Sequence, residues 1–169
     1  MKKRASIRWV VALVYFLSIF PSVGNAESDF IRIGNQLEPF SLEDQHGQEH
    51  AVDSSIRLIL FARNRAGAGV MTAFMEGRDG EFLSRRGILY VNDISAMPSF
   101  AATLFALPKM RRRPYPILLD REAEITARFP DKPGFATLIQ LSQLKVRNIE
   151  FLSDAQAIGK QLEAMPKKN

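Results

Sequence analysis

Apolar positions in this chain fall into two patterns, unbroken runs and spaced stripes, and the two alternate. Leu58-Ile59-Leu60-Phe61-Ala62 is unbroken, rich in branched side chains and too short for a helix, so it predicts a strand buried on both faces. A glycine-punctuated turn follows, Arg63 to Gly69. Val70, Met71, Phe74 and Met75 then recur at the spacing of a helix with one stripe against a sheet. Strand, turn and helix in that order put the turn at a helix N-terminus, where many folds keep their chemistry. Gly77 and Gly80 predict a break in that helix, since each costs up to about 1 kcal/mol against alanine in a helix interior. Ile88-Leu89-Tyr90-Val91 predicts a second buried strand, ended by Asn92-Asp93. Pro98 suits the first residue of a helix, with Phe100, Leu104 and Leu107 as its core stripe. Tyr115 to Asp120 reads as a third strand, with Asp120 as N-cap of a short helix from Arg121 to Phe129 that Pro130 stops. Such β-α-β-α order, with strands apolar on both sides, argues for parallel strands joined by right-handed crossovers.

The flanks read differently. Phe40-Ser41-Leu42, the turn Asp44 to Gly47 and the return His50-Ala51-Val52 predict a β-hairpin. Phe135 to Ser142, Gln143 in a turn, and Lys145 to Phe151 predict a second antiparallel pair. Ser153-Asp154-Ala155-Gln156 has the form of a capping box opening a last helix with Ile158, Leu162 and Met165 on one stripe. Pro166 to Asn169 reads as a frayed tail.

Ahead of all this, Lys2, Lys3, Arg4 and Arg8 precede a twelve-residue apolar core, Trp9 to Phe20. Pro21 breaks that core, and Gly24-Asn25-Ala26 supplies the small residues of an export-signal cleavage site. At about 1.5 Å per residue the core covers only about half of a ~30 Å bilayer interior, which favours cleavage after Ala26 over a retained anchor. The expectation is residues 1–26 as signal peptide, 27–169 as one domain, and the periplasm as the address. The full chain has a formal charge of +5, but nineteen bases against eighteen acids remain after Ala26, a net +1. The basic balance therefore belongs mostly to the leader and is no nucleic-acid footprint. Cysteine is absent, so the domain stands on packing alone and all thiol chemistry is excluded.

Three stretches carry a family likeness. Gly34, Pro39, Phe40, Leu42, Asp44 and Gly47 resemble the opening of the redoxin and peroxiredoxin branch of the thioredoxin-like superfamily. The central strand, turn and helix resemble that superfamily's active-site unit, in which a Trp-Cys-Gly-Pro-Cys turn follows a buried strand. On that overlay Arg65 replaces the tryptophan, Gly67 keeps the glycine, Ala68 replaces the proline, and Ala66 and Gly69 stand where the cysteines would be. Pro133-Gly134-Phe135-Ala136-Thr137-Leu138 resembles the family's Gly-x-Pro-Thr-Leu entry to a late strand, with Ala136 in place of the cis-proline. A cis bond before a non-proline residue costs roughly 3 kcal/mol, so a trans peptide is expected there. The resemblance implies an α/β thioredoxin-like three-layer sandwich with a central mixed sheet and an N-terminal β-hairpin, over about Ile31 to Met165.

Candidate chemistry is sparse. Arg63 and Arg65, beside exposed backbone at Gly67 and Gly69, could hold an anion at the helix N-terminus, or stand in water beside a relic turn. Lys109, Arg111, Arg112 and Arg113 form the one strong charge run. It could touch an anionic membrane surface or close a helix as solvated cations. His46, Glu49 and His50 are read as solvated hairpin residues rather than metal ligands. No cofactor, metal or nucleic-acid partner is expected. The reading is a redox-inactive binding or accessory module whose partner is a periplasmic protein. The alternatives are an enzyme using a non-thiol mechanism near Arg63, Asn64, Arg65 and Thr72, and attachment to anionic membranes through Lys109–Arg113.

Overall fold

The structure, a computed structural model, describes residues 30–165. The export-signal reading for Met1–Ala26 and the tail from Pro166 lie outside these. Two short strands, β1 (Phe40–Glu43) and β2 (Glu49–Val52), pair antiparallel as the predicted hairpin. Its turn is closed by Asp44, whose Oδ1 accepts from the backbone N–H of His46 (2.7 Å) and Gln48 (3.0 Å), while Gly47 takes φ +81.

Five strands make the central sheet: β3 (Leu58–Ala62), β4 (Ile88–Asp93), β5 (Leu118–Asp120), β6 (Ala136–Ser142) and β7 (Lys145–Leu152), in the order β5-β4-β3-β6-β7. β3, β4 and β5 run parallel, and β6 and β7 are antiparallel to their neighbours. Alternate residues of β3 feed opposite faces. Leu58, Leu60 and Ala62 join a core with Met71, Phe74, Leu83 and Ile158. Ile59 and Phe61 join a second core with Val52, Phe129, Ile139 and Val146. That is why the run shows no polar alternation.

Helix α1 (Arg65–Phe74) ends ahead of Gly77, at φ +72, and α2 (Gly80–Arg86) restarts behind the N-cap Asp79. The expected break is therefore present, with Gly80 as the first residue of the new helix. α5 (Ala155–Ala164) closes the chain over the first core. Its N-cap is Asp154, whose side chain accepts from Ala157 N–H at 2.8 Å, one residue later than the capping-box register centred on Ser153.

Two helical expectations are corrected. Residues 99–110 are helical, but as α3 (Ser99–Ala101), a π-helical turn (Ala102–Ala106) and α4 (Leu107–Met110). The Leu107 N–H reaches back five residues to the Ala102 carbonyl. The wider turn re-phases the segment, so Ala102 and Leu107 are buried while Phe100 and Leu104 face outward. The 100/104/107 stripe is thus not the core face. Arg121 to Phe129 is not a helix apart from one 3-10 turn, Thr126–Arg128. Asp120 explains this by accepting from the N–H groups of Glu124 (3.2 Å), Ile125 (3.0 Å) and Thr126 (2.8 Å), so one carboxylate satisfies the loop a helix would otherwise have satisfied. The helices consequently pack on one face of the sheet. The hairpin, residues 31–37 and Phe129 cover the other.

One buried side chain ties the hairpin down. Gln45 donates through Nε2 to the Tyr115 carbonyl (2.9 Å) and accepts at Oε1 from Ile117 N–H (2.7 Å). Its backbone carbonyl accepts from Arg111 Nε (2.9 Å).

Candidate functional site

The turn between β3 and α1 sits at the carboxyl ends of the parallel strands, where open α/β sheets place their sites. Asn64 is the N-cap of α1. Its Oδ1 accepts from Gly67 N–H at 2.8 Å, and its Nδ2 reaches Asp131 Oδ1 at 3.3 Å. The helix end therefore already holds a side-chain oxygen of its own chain on one of its free N–H groups.

Arg63 points inward. Its Nε donates to Asp93 Oδ2 at 2.9 Å, its Nη2 donates to the Thr126 carbonyl, and its guanidinium lies 5.3 Å from the Phe61 ring centroid. The Asp93 side chain is 1% exposed and that of Arg63 26%. Ser95 adds its N–H (3.0 Å) and hydroxyl (2.7 Å) to Asp93 Oδ1. Burial pushes the Asp93 pKa up, but the hydrogen bonds from Arg63 and Ser95 outweigh it and hold the carboxyl below the usual range. Thr126 in turn donates its hydroxyl to Asp120 Oδ2 at 3.0 Å. A buried polar network thus joins the ends of β3, β4 and β5, and Asp93 is the anion that Arg63 holds.

Arg65, Ala66 and Gly69 are exposed, Gly67 is buried, and Ala68 and Thr72 are half-buried. Gly67 abuts the start of β6: a Cβ there would lie 2.3 Å from the Phe135 carbonyl oxygen and 3.4 Å from Ala136 N. Ala136 and the α1 turn, separated by almost seventy residues, are neighbours, and among the described residues no peptide bond is cis. Gly69 has no atom within 4 Å of where its Cβ would be. The structure therefore brings Arg65 to Gly69 together with Ala136.

Lys109, Arg111, Arg112 and Arg113 lie apart, where α4 ends, and are exposed. His50 Nε2 lies 2.9 Å from Asp44 Oδ2, and Glu49 accepts from the Ser41 hydroxyl, so both are occupied within the hairpin. Away from the turn, a groove of about 670 Å³ is lined by Arg57, Phe74, Arg78, Phe82, Arg86 and Leu162 among others. Two of its cations are stacked on rings, Arg78 at 4.4 Å from Phe74 and Arg86 at 4.2 Å from Phe82. The network partners Asp93, Ser95, Asp120, Thr126 and Asp131 escape a linear reading. Their one shared signal is an aspartate closing each of two buried strands.

A mixed five-stranded sheet carrying an N-terminal hairpin, with a strand-turn-helix corner against the start of an antiparallel strand, defines a thioredoxin-like fold, here built without cysteine. The chain is similar to a protein of Chlorobium tepidum described as a thiol:disulfide interchange protein DsbE (TM-score 0.55, 15% identity, 79% of this chain and 97% of that one). It is also similar to the peroxidoxin BcpB of Mycobacterium tuberculosis (TM-score 0.53, 20% identity, 80% and 99%) and to StoA of Bacillus subtilis (TM-score 0.52, 10% identity, 75% and 96%). No family model and no curated protein matches the sequence. At these identities the likeness is one of fold.

Proposed function

We propose that this protein is a thioredoxin-shaped binding or accessory module of the periplasm that keeps the scaffold and performs no thiol chemistry. The observation that carries the reading is the composition of the corner where α1 begins. A methyl group at Ala66 and a bare α-carbon at Gly69 stand outermost, and the polar side chains behind them are bonded to one another. Every buried side-chain nitrogen or oxygen among the described residues has a partner, as expected of a corner serving as a fixed surface. The non-thiol enzyme alternative draws less support, because Arg63 and Asn64 are spent on Asp93, Thr126 and the helix cap. Arg65 is an exposed cation at the rim, so a partner presenting a carboxylate beside a small apolar group suits the surface. The periplasmic address rests on the leader-like pattern of residues 1–26.

The test is photo-crosslinking in intact cells from a probe amino acid at Arg65 or Gly69. A discrete protein adduct in the periplasmic fraction is expected. Recovery of the chain from the cytoplasm, or no adduct from either position while the protein is folded and abundant, overturns the reading.

A further inference from the structure

Seven large apolar side chains are exposed among the described residues, and four of them, Met97, Phe100, Leu104 and Phe105, fall within one short segment. Phe100 and Leu104 are each 64% exposed and Phe105 is 61% exposed. These are not stray surface positions. The π-helical turn at Ala102–Ala106 seats Ala102 and Leu107 in the core, and so turns Phe100 and Leu104 to the same outer side. The segment continues directly into Lys109, Arg111, Arg112 and Arg113, all exposed, and from Ile94 to Ile117 it holds no acidic residue. Arg111 Nε is bonded to the Gln45 carbonyl, which fixes the basic turn against the domain.

We propose that this ridge is a peripheral docking surface for an anionic lipid bilayer. Phe100, Leu104 and Phe105 enter the boundary between headgroups and acyl chains, and Lys109, Arg112 and Arg113 lie against the lipid phosphates. A basic cluster alone gives weak, reversible attachment, and a second, apolar signal is what makes attachment persist. Here both signals stand on one continuous stretch of chain, the apolar one on the helical segment and the basic one at its end and in the turn that follows. Charge complementarity selects the occupant. The rim of a protein interface mixes polar groups, whereas a bilayer presents diffuse charge of a single sign, and this ridge presents only the opposite sign beside aromatic side chains. The inference is independent of the proposed function, because the ridge shares no residue with the α1 corner.

Since the chain has no cysteine, Leu104→Cys labelled with an environment-sensitive fluorophore reports this surface alone, and Lys160→Cys on α5 serves as reference. The full chain is used as recovered from cells, because the label reads local burial whatever leader it retains. Vesicles of phosphatidylglycerol and phosphatidylcholine in equal parts should shift the emission at position 104 to the blue and leave position 160 unmoved. Pure phosphatidylcholine should give little shift, and added salt should reverse the anionic response. Replacing Lys109, Arg112 and Arg113 by Gln should weaken binding about fivefold each, on the order of a hundredfold together. Phe100→Ser should weaken it about tenfold with the far-ultraviolet dichroism unchanged. No shift at 104 on anionic vesicles, an equal shift on neutral ones, or an equal shift at 160 would overturn the proposal. So would a shift without lipid that grows with protein concentration, which would give the face to a second copy of the chain.

Discussion

Gly67 and Gly69 lie two residues apart in the first turns of α1, yet alanine should act oppositely at the two. At Gly67 the new Cβ would sit 2.3 Å from the Phe135 carbonyl oxygen and 3.1 Å from its carbon, well inside van der Waals contact. The obstacle is backbone at the start of β6, a strand paired with β3 on one side and β7 on the other, so it cannot swing aside as a side chain would. Overpacking of this kind costs about 1–3 kcal/mol, and the rigid neighbour argues for the upper half. Against this stands the gain in helix propensity, less than about 1 kcal/mol so near the N-cap. Gly67→Ala should therefore lose about 1–2 kcal/mol. Gly69→Ala meets nothing within 4 Å and should gain up to about 1 kcal/mol. Urea unfolding followed by circular dichroism resolves the pair, whose midpoints should differ by about 0.5–1.5 M at an m-value near 2 kcal/mol/M. If Gly67→Ala proves as stable as Gly69→Ala, the α1 turn does not rest on the Phe135–Ala136 peptide and the site geometry is wrong.

Two further outcomes follow from the same corner. Arg63→Gln leaves the Asp93 carboxylate buried without its cation and should cost about 3 kcal/mol, the low end for a buried pair because Arg63 is partly exposed; thermal unfolding at neutral pH measures it. Because Asp93 is held below its ordinary pKa in the folded chain, its contribution is present above about pH 4 and is lost as acid protonates it through the folded value. Urea midpoints measured from neutral pH downward should therefore fall less steeply in acid for Arg63→Gln than for the parent. Ala66→Cys combined with Gly69→Cys places two thiols three residues apart on the first turns, with Cα atoms about 5 Å apart, within disulfide reach. Insulin reduction should rise above the baseline of the cysteine-free parent, and an inert, folded double variant would count against the overlay of Ala66 and Gly69 on the family's cysteines.

Most of the sheet was legible because the residues that build it act locally. The run Leu58–Ala62 has no polar alternation because Ile59 and Phe61 meet one core while Leu58, Leu60 and Ala62 meet the other. Asp44 and Gly47 write their turn into four consecutive positions. What escaped depends on distant partners. Arg63 reads as a free cation until Asp93, thirty residues on, is brought beneath it. Asp120 reads as a helix cap, and no linear pattern shows that its carboxylate satisfies the loop so fully that no α-helix follows. Phe100, Leu104 and Leu107 fit a regular helical period, and only packing of Ala102 and Leu107 reveals the π turn that breaks it. At the candidate site the residue identities were readable, but whether Arg63 faced solvent or protein was not.

Gln45 bears on the order in which the chain assembles. Its partners Arg111, Tyr115 and Ile117 lie 66 to 72 residues further along. A two-stranded hairpin closes within microseconds of being released, yet this one can lock only after the whole stretch through α1, β4 and α4 has been made and folded back. Residues 40–52, among the earliest of the described chain to be made, are thus held by Gln45 only once the chain has been made as far as Ile117. Until then the second core, which counts Val52 among its members, lacks part of its cover.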